Sequence, residues 1–248
     1  MAQPKVTMTP GNDQIRFVLS RTSHPGNIGA AARAIRTMGF AQLALVEPQH
    51  FPDPQVEALA SGADDVLGAI RVHDSLPQAL ADSTLALGMS ARRRGVTLPE
   101  HTPRQAAERV RDAVASGEQV ALVFGNERSG LDGEELAHCH AMVRIPSIED
   151  FSSLNLAQAV QVLAYELRMA LLDEVTDAPE PRDALATGEE MEQFYAHLST
   201  TLDAIDFHKG RSSRTIDKRL RKMFQRARLD ERELRILHGI LADAERMA

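Results

Sequence analysis

"QVALVFGNERSGL", residues 119–131, decides how this chain folds. Val120 to Phe124 are five apolar residues in a row, without the alternation of a strand that shows one face to water. Such a run reads as a central strand of a largely parallel sheet, covered on both faces. Gly125 then ends the strand, and Gly130 lets the backbone turn again. A carboxylate and a guanidinium, Glu127 and Arg128, stand between the two glycines, so the loop is shaped for a ligand as well as for a turn. Loops of this kind after parallel strands are where α/β sheets hold their sites.

Working outward, "IRFVLSR" (15–21), "QLALVEP" (42–48), "IRVHDS" (70–75), "TLALGMSA" (84–91) and "AMVRIPS" (141–147) read as further strands. Amphipathic stretches alternate with them. "PGNIGAAARAIRTMGF" (25–40) is a turn and a helix closing at Gly39, and "VEALASGADDVLGA" (56–69) one helix. "SLPQALADS" (75–83) and "GEELAHCH" (133–140) are short helices. "TPRQAAERVRDAVASG" (102–117) has Thr102 as N-cap, Pro103 in the first turn and Gly117 after the last. In "FSSLNLAQAVQVLAYELRMALL" (151–172), Leu156, Val160, Leu163, Leu167 and Leu171 form one buried face, with Ser152 or Ser153 expected as the cap. This alternation predicts an α/β domain over residues 1–172.

The composition then changes. Residues 173–188 are acidic, contain Pro179 and Pro181 and lack a period, which reads as a linker. Residues 189–248 read as a small helical module, with two helices around a basic middle, "HKGRSSRTIDKRLRKMFQRARL" (208–229). There Lys209, Arg211, Arg214, Lys218, Arg219, Arg221, Lys222, Arg226 and Arg228 face a single acid, Asp217. In a chain whose formal charge is −7, so local an excess points to contact with a polyanion. Arg92, Arg93 and Arg94, beside the strand at 84–91, make a second basic loop. Few aromatics accompany either patch, which favours phosphate and shape recognition over base stacking. No run of about 18 apolar residues suggests a membrane span. One cysteine, Cys139, excludes an internal disulfide and fits a cytoplasmic protein.

Three turns follow expected strands, the first two bearing glycines: "HPGNIGAAARAIR" (24–36), "VFGNERSGL" (123–131) and "RIPSIEDFSSLN" (144–155). In the first, Gly26 and Gly29 permit a tight turn, Asn27 offers donors and an acceptor, and Arg33 lies one helical turn beyond Gly29. In the third, one serine suffices for a cap, which leaves the other serine and Asn155 unexplained. The glycine spacings match neither the dinucleotide fingerprint nor the P-loop, which disfavours nucleotide-dependent enzymes of the doubly wound class. His138 and His140 have the wrong spacing for zinc, so no metal is expected. No Ser-His-Asp elbow is present, and His24 reads as a packing or backbone-bonding residue.

The three turns, in this order, resemble the motifs of the SPOUT superfamily of RNA methyltransferases, in its 2′-O-ribose branch. The nearest resemblance is to the TrmJ-type tRNA (cytidine/uridine-2′-O) methyltransferases, which also carry a linker and a helical extension. The resemblance implies a parallel sheet with a C-terminal trefoil knot, although knotted chains are rare exceptions. It implies S-adenosyl-L-methionine as cofactor, a homodimer, and tRNA as substrate, methylated at nucleotide 32 of the anticodon loop. Carried across residue by residue, Met89, Ser90, Ala91, Gly125, Gly130, Ile145, Ser152, Ser153 and Leu154 form the cofactor pocket. Arg33, Asn27, Glu127, Ser153 and Asn155 are the catalytic set, with Arg33 nearest the 2′-hydroxyl and presented across the dimer interface. Arg92, Arg93, Arg94, Arg214, Lys218, Arg219, Arg221 and Lys222 are the expected RNA contacts. Related enzymes modify ribosomal RNA, other tRNA positions or bases, and a non-catalytic RNA-binding protein of the same fold is the remaining alternative.

Overall fold

The computed structural model describes residues 8–91, 98–148, 153–172, 184–209 and 213–248. Its elements follow the expected alternation. A short 3₁₀ turn at Asn12–Gln14 leads into β1 (Ile15–Ser20), α1 (Pro25–Thr37) and β2 (Gln42–Val46). Next come α2 (Pro54–Ala60), α3 (Asp64–Gly68), β3 (Arg71–His73), α4 (Leu76–Ala79) and β4 (Leu85–Met89). They are followed by β5 (Glu100–His101), α5 (Pro103–Ala115), β6 (Val120–Phe124), α6 (Gly133–Leu136) and β7 (Ala141–Val143). Helices α7 (Leu156–Leu172), α8 (Gly188–Ala204), α9 (Ser213–Ala227) and α10 (Glu231–Met247) complete the chain.

The seven strands pair in parallel in the order β3-β2-β1-β6-β4-β7-β5. β6 lies at the centre between β1 and β4 with all five residues buried, as its unbroken apolar run requires. Alternate residues separate two cores. Phe17, Leu19, Leu87, Leu122 and Phe124 face α1, α5 and α7, while Val18, Ala44, Ala86, Ala121 and Val123 face α4, α6 and Leu131. The second core is built from smaller side chains, which brings the short helices close: a Cβ on Gly88 would already touch Cys139, Leu131 and Leu136.

β7 is inserted between β4 and β5, although those two are consecutive in the chain. Ser90 N–H donates to the Val143 carbonyl on one side, and Arg144 N–H to the His101 carbonyl on the other. The chain therefore runs through β7 with β4 on one side and β5 on the other. The two-residue β5 escapes a sequence reading because it has no hydrophobic period of its own.

Three expectations are corrected. The stretch 56–69 is two helices, because Ser61 and Gly62 both take positive φ (44° and 86°) and break the hydrogen-bond ladder. The basic middle of the C-terminal region is itself a helix, α9, whose Phe224 packs against the module core around Phe194 and Tyr195. The cap of α7 is Asn155, not a serine: its Oδ1 accepts from Ala157 N–H at 2.9 Å and Gln158 N–H at 3.4 Å. Because α7 starts at Leu156, Ser153 stands three residues ahead of it, and Ser152 lies outside the described residues.

The C-terminal helices sit directly on the sheet domain. Gly188 N–H donates to the Ser83 carbonyl and Glu189 N–H to the Ala81 carbonyl, both at 2.8 Å. A side chain at Gly188 would collide with the Leu80 carbonyl, so only glycine lets α8 start there. Arg228 pairs with Glu118, and Gln225 Nε2 donates to the Ala137 carbonyl.

Candidate active site at the carboxyl ends of the central strands

Three neighbouring strands end at one crevice: β4 at Met89, β6 at Phe124 and Gly125, β7 at Val143 and then Ile145. Residues 153–159, the entry to α7, close its far side through Ser153, Leu154, Leu156 and Ala159. Its walls are largely apolar, while Ser90, Asn126, Glu127, Arg128, Ser129 and Ser153 place polar groups around them. Met89, Ser90, Ala91, Gly125, Gly130, Ile145, Ser153 and Leu154 all line it. The structure thus brings together every described residue of the cofactor set that the resemblance implies.

The loop after β6 is held by its own backbone. Gly130 N–H donates to the Asn126 carbonyl at 2.7 Å, with Gly130 at φ 66°. Asn126 Oδ1 accepts from the amides of Arg128 (2.9 Å) and Ser129 (3.3 Å), closing an Asx-type turn. Gly125 has no room for a side chain, since a Cβ there would run into the backbone of Gly130 and Leu131. Glycine at 125 thus permits the loop to fold back over the strand end.

Glu127 points from this loop to the turn before α1. Its Oε2 accepts from the Ser23 amide (2.9 Å) and hydroxyl (2.8 Å). Its Oε1 accepts from the His24 amide (3.1 Å) and Asn27 Nδ2 (2.9 Å). Burial would raise the pKa of this carboxyl, but the Ser23 and Asn27 hydrogen bonds outweigh it and hold Glu127 below the ordinary carboxylate range. Glu127 is therefore an anion at neutral pH, and its hydrogen bonds hold the 23–27 turn. Asn27 Oδ1 in turn accepts from Asn155 Nδ2 at 2.9 Å. One chain of hydrogen bonds, Glu127–Asn27–Asn155, thus ties the three motifs together.

Arg33 is placed differently. Its side chain is exposed on α1, and it is not among the residues lining the crevice of its own chain. Gly29 serves packing, because α2 approaches so closely that a Cβ there would meet the Val56 carbonyl. Sequence reasoning missed Ser23 and His24, whose amides give no sequence signal beyond their place before Gly26. It also missed Asn126, although an asparagine after a strand-ending glycine is a recognisable turn former.

The basic helix α9 is partly neutralised. Arg214 and Lys218 reach Glu134 of α6 at 2.7 and 3.9 Å. Arg221 forms a two-pronged pair with Glu192 and lies 4.1 Å over the Tyr195 ring. Arg219 is exposed and Lys222 half-exposed. Arg92, Arg93 and Arg94 lie outside the described residues. No group of three or more His, Cys, Asp or Glu that could hold a metal ion exists among the described residues, and no helix there is long and apolar enough to cross a membrane.

Comparison with known proteins gives the site its context. Residues 14–165 match the SpoU rRNA Methylase family, and residues 189–248 match the C-terminal domain of tRNA methyltransferase TrmJ. The chain is 44% identical over 245 residues to the tRNA (cytidine/uridine/adenosine-2′-O-)-methyltransferase TrmJ of Pseudomonas aeruginosa, covering 95% of each chain. It is likewise 44% identical over 233 residues to the tRNA (cytidine/uridine-2′-O-)-methyltransferase TrmJ of Sodalis glossinidius, covering 93% of this chain and 91% of that one. Among solved structures, TrmJ from Z. mobilis ZM4 superposes with a TM-score of 0.81 at 35% identity, covering 93% of this chain and 98% of that one. The chain therefore belongs to the SpoU methylase family, among the tRNA (cytidine/uridine-2′-O) methyltransferases of the TrmJ type.

Proposed function

We propose that the crevice is the S-adenosyl-L-methionine site of an enzyme that methylates the ribose 2′-hydroxyl of cytidine or uridine at nucleotide 32 of tRNA. The observation that carries this reading is the Glu127–Asn27–Asn155 chain, which joins all three motifs through Glu127, a residue that lines the crevice. The residues present suit the cofactor. Met89, Phe124, Val143, Ile145 and Leu154 offer apolar walls to an adenine, and the turn at 125–130 and the irregular segment 153–155 leave backbone groups for its polar edge. The Glu127 carboxylate beside them suits a cationic ligand. When bound there, S-adenosylmethionine supplies an electrophilic methyl group on a sulfonium.

The chain's own residues do the rest. Arg33 stabilises the developing alkoxide and the neighbouring phosphate, because a cationic, planar guanidinium with several N–H donors is suited to that work. Glu127 and Asn27 fix the turn from which α1, and so Arg33, departs. Ser153 contacts the substrate oxygen or the cofactor, and Asn155 holds the entry to α7.

The active form is a homodimer in which Arg33 of one copy serves the crevice of the other. Two observations support it: Arg33 lies outside its own chain's crevice, and Tyr165, Met169 and Leu172 leave an exposed apolar stripe on α7. Residues 1–172 perform the transfer and residues 189–248 contact tRNA. The single cysteine, Cys139, is buried and unpaired with another, in keeping with work in the cytoplasm. Nuclease fragments of unfractionated tRNA, mapped by mass spectrometry after incubation with the protein and cofactor, test the position: the added 14 Da belongs on the fragment containing nucleotide 32. A methyl group mapped elsewhere in the tRNA overturns that assignment.

A further inference from the structure

Behind the crevice, Arg21 meets both ends of the loop that carries Glu127. At the loop's start, Asn126 Nδ2 donates to the Arg21 carbonyl at 2.6 Å. At its end, the Arg21 guanidinium donates to Asp132 Oδ2 at 2.9 Å and to Glu135 Oε2 at 2.5 Å. These carboxylates are themselves fixed. Asp132 Oδ1 caps α6 through the amides of Glu134 and Glu135, and Glu135 Oε2 accepts from the Asp132 amide. Buried Glu135 also takes the Ser20 hydroxyl on Oε1 at 2.6 Å. Arg21 is anchored in turn: its amide donates to the Val46 carbonyl, and its backbone stands at φ 54°. That left-handed conformation is costly for a residue with a side chain and persists only where the surroundings enforce it.

We propose that Arg21 is a positioning residue for the methyl transfer, a clamp that closes the 126–131 loop at the spacing at which Glu127 reaches Ser23, His24 and Asn27. This rests on the reading of the crevice given above. Arg21 touches neither the crevice nor any of the catalytic set; it acts through the loop. No neighbouring cation replaces it, because Arg21 is the basic partner of both Asp132 and Glu135 among the described residues. Without it, Glu135 keeps a carboxylate that is buried yet short of a counter-charge, a situation that favours opening of the α6 cap. Lysine supplies the charge but not the fork.

The test compares the full chain with Arg21→Met and Arg21→Lys, using amide hydrogen exchange, thermal melting and steady-state transfer to unfractionated tRNA. In Arg21→Met, exchange at residues 126–131 should quicken at least about tenfold while Val120–Phe124 keeps its protection. In the same variant kcat should fall about tenfold with KM for cofactor and tRNA within about threefold, and Arg21→Lys should recover part of both losses. Unchanged exchange in the loop overturns the clamp, as does a quickening shared equally by β6, or a loosened loop with undiminished kcat. If the unaltered protein itself fails to methylate tRNA, the functional reading falls, and the exchange comparison still decides whether Arg21 holds the loop.

Discussion

Asn155 donates from Nδ2 to Oδ1 of Asn27 at 2.9 Å, across 128 residues of sequence. The same Asn155 caps α7 with its Oδ1, and the same Asn27 donates to Glu127. One side chain thus performs a local duty, starting a helix, and a distant one, holding the third motif against the first.

The two duties separate in Asn155→Asp. Aspartate caps helices as well as asparagine does, but it has no N–H₂ to give Asn27. Its melting temperature should stay within a few degrees of the unaltered protein, while kcat falls about tenfold. Asn155→Ala loses both duties and should cost about 1 kcal/mol of stability as well. Thermal melts and initial rates on the same samples distinguish the variants.

Arg33→Ala should lower turnover about a hundredfold or more while leaving the calorimetric affinity for S-adenosylmethionine nearly intact. In the proposed dimer Arg33, which stands outside its own crevice, serves that of the partner copy. Mixing Arg33→Ala with a chain whose crevice is blocked should restore about a quarter of the unaltered activity, since half the dimers then hold one complete site of two. No restoration after verified subunit exchange places Arg33 in the site of its own chain.

Gly125→Ala forces a methyl group against the backbone of Gly130 and Leu131, neither of which is the end of a flexible side chain. Overpacking of this kind costs about 1–3 kcal/mol, and the loop must shift to accept it. Chemical denaturation should show the loss, and titration calorimetry a weakened affinity for S-adenosylmethionine.

Glu192 links His138 and Arg221, and its environment carries a pH dependence. Burial alone would raise its pKa, but the hydrogen bonds from Arg221 and His138 prevail and bring it down to about 2 from an ordinary 4.5. Between those values the unfolded chain binds a proton that the folded chain does not. The stabilisation is therefore fully present above about 4.5 and drains away as pH falls towards about 2. Glu192→Gln should flatten this part of the stability curve, measured by melts from pH 6 downward (about one per half unit).

Arg221 and its neighbours should also part company in RNA binding. Arg221 is committed to Glu192 and Tyr195, so Arg221→Gln should chiefly destabilise the C-terminal helices. Arg219→Gln with Lys222→Gln should leave stability within about 0.5 kcal/mol and reduce the salt dependence of tRNA affinity by about one to two counterions. Filter binding across a salt series reads the slope.

The fold was legible wherever side-chain pattern and backbone need agreed. The unbroken apolar run of β6 announced a strand covered on both faces, and the Thr102–Pro103 start and Gly117 stop framed α5. The split between α2 and α3 was not legible, because Ser61 in a left-handed conformation is an outcome of packing that composition does not reveal. β5 was hidden for a different reason: two residues pair only because β7 threads back beside them. In the site, the residue types were readable and the connections were not. Glu127, Asn27 and Asn155 stood out by type, yet nothing in the chain indicates that the carboxylate reaches Ser23 and His24 rather than Arg33. Basic residues in α9 looked uniform, whereas folding commits Arg221 inward and leaves Arg219 exposed.

The most direct measurement is isotope transfer. The full chain is incubated with S-adenosylmethionine carrying a labelled methyl group and unfractionated tRNA, which is then digested to nucleosides and separated by mass. Label should appear in 2′-O-methylcytidine and 2′-O-methyluridine, with Asn155→Asp strongly reduced. Label on a base, or none at all with folded protein and saturating cofactor, would contradict the assignment of this crevice to ribose methylation.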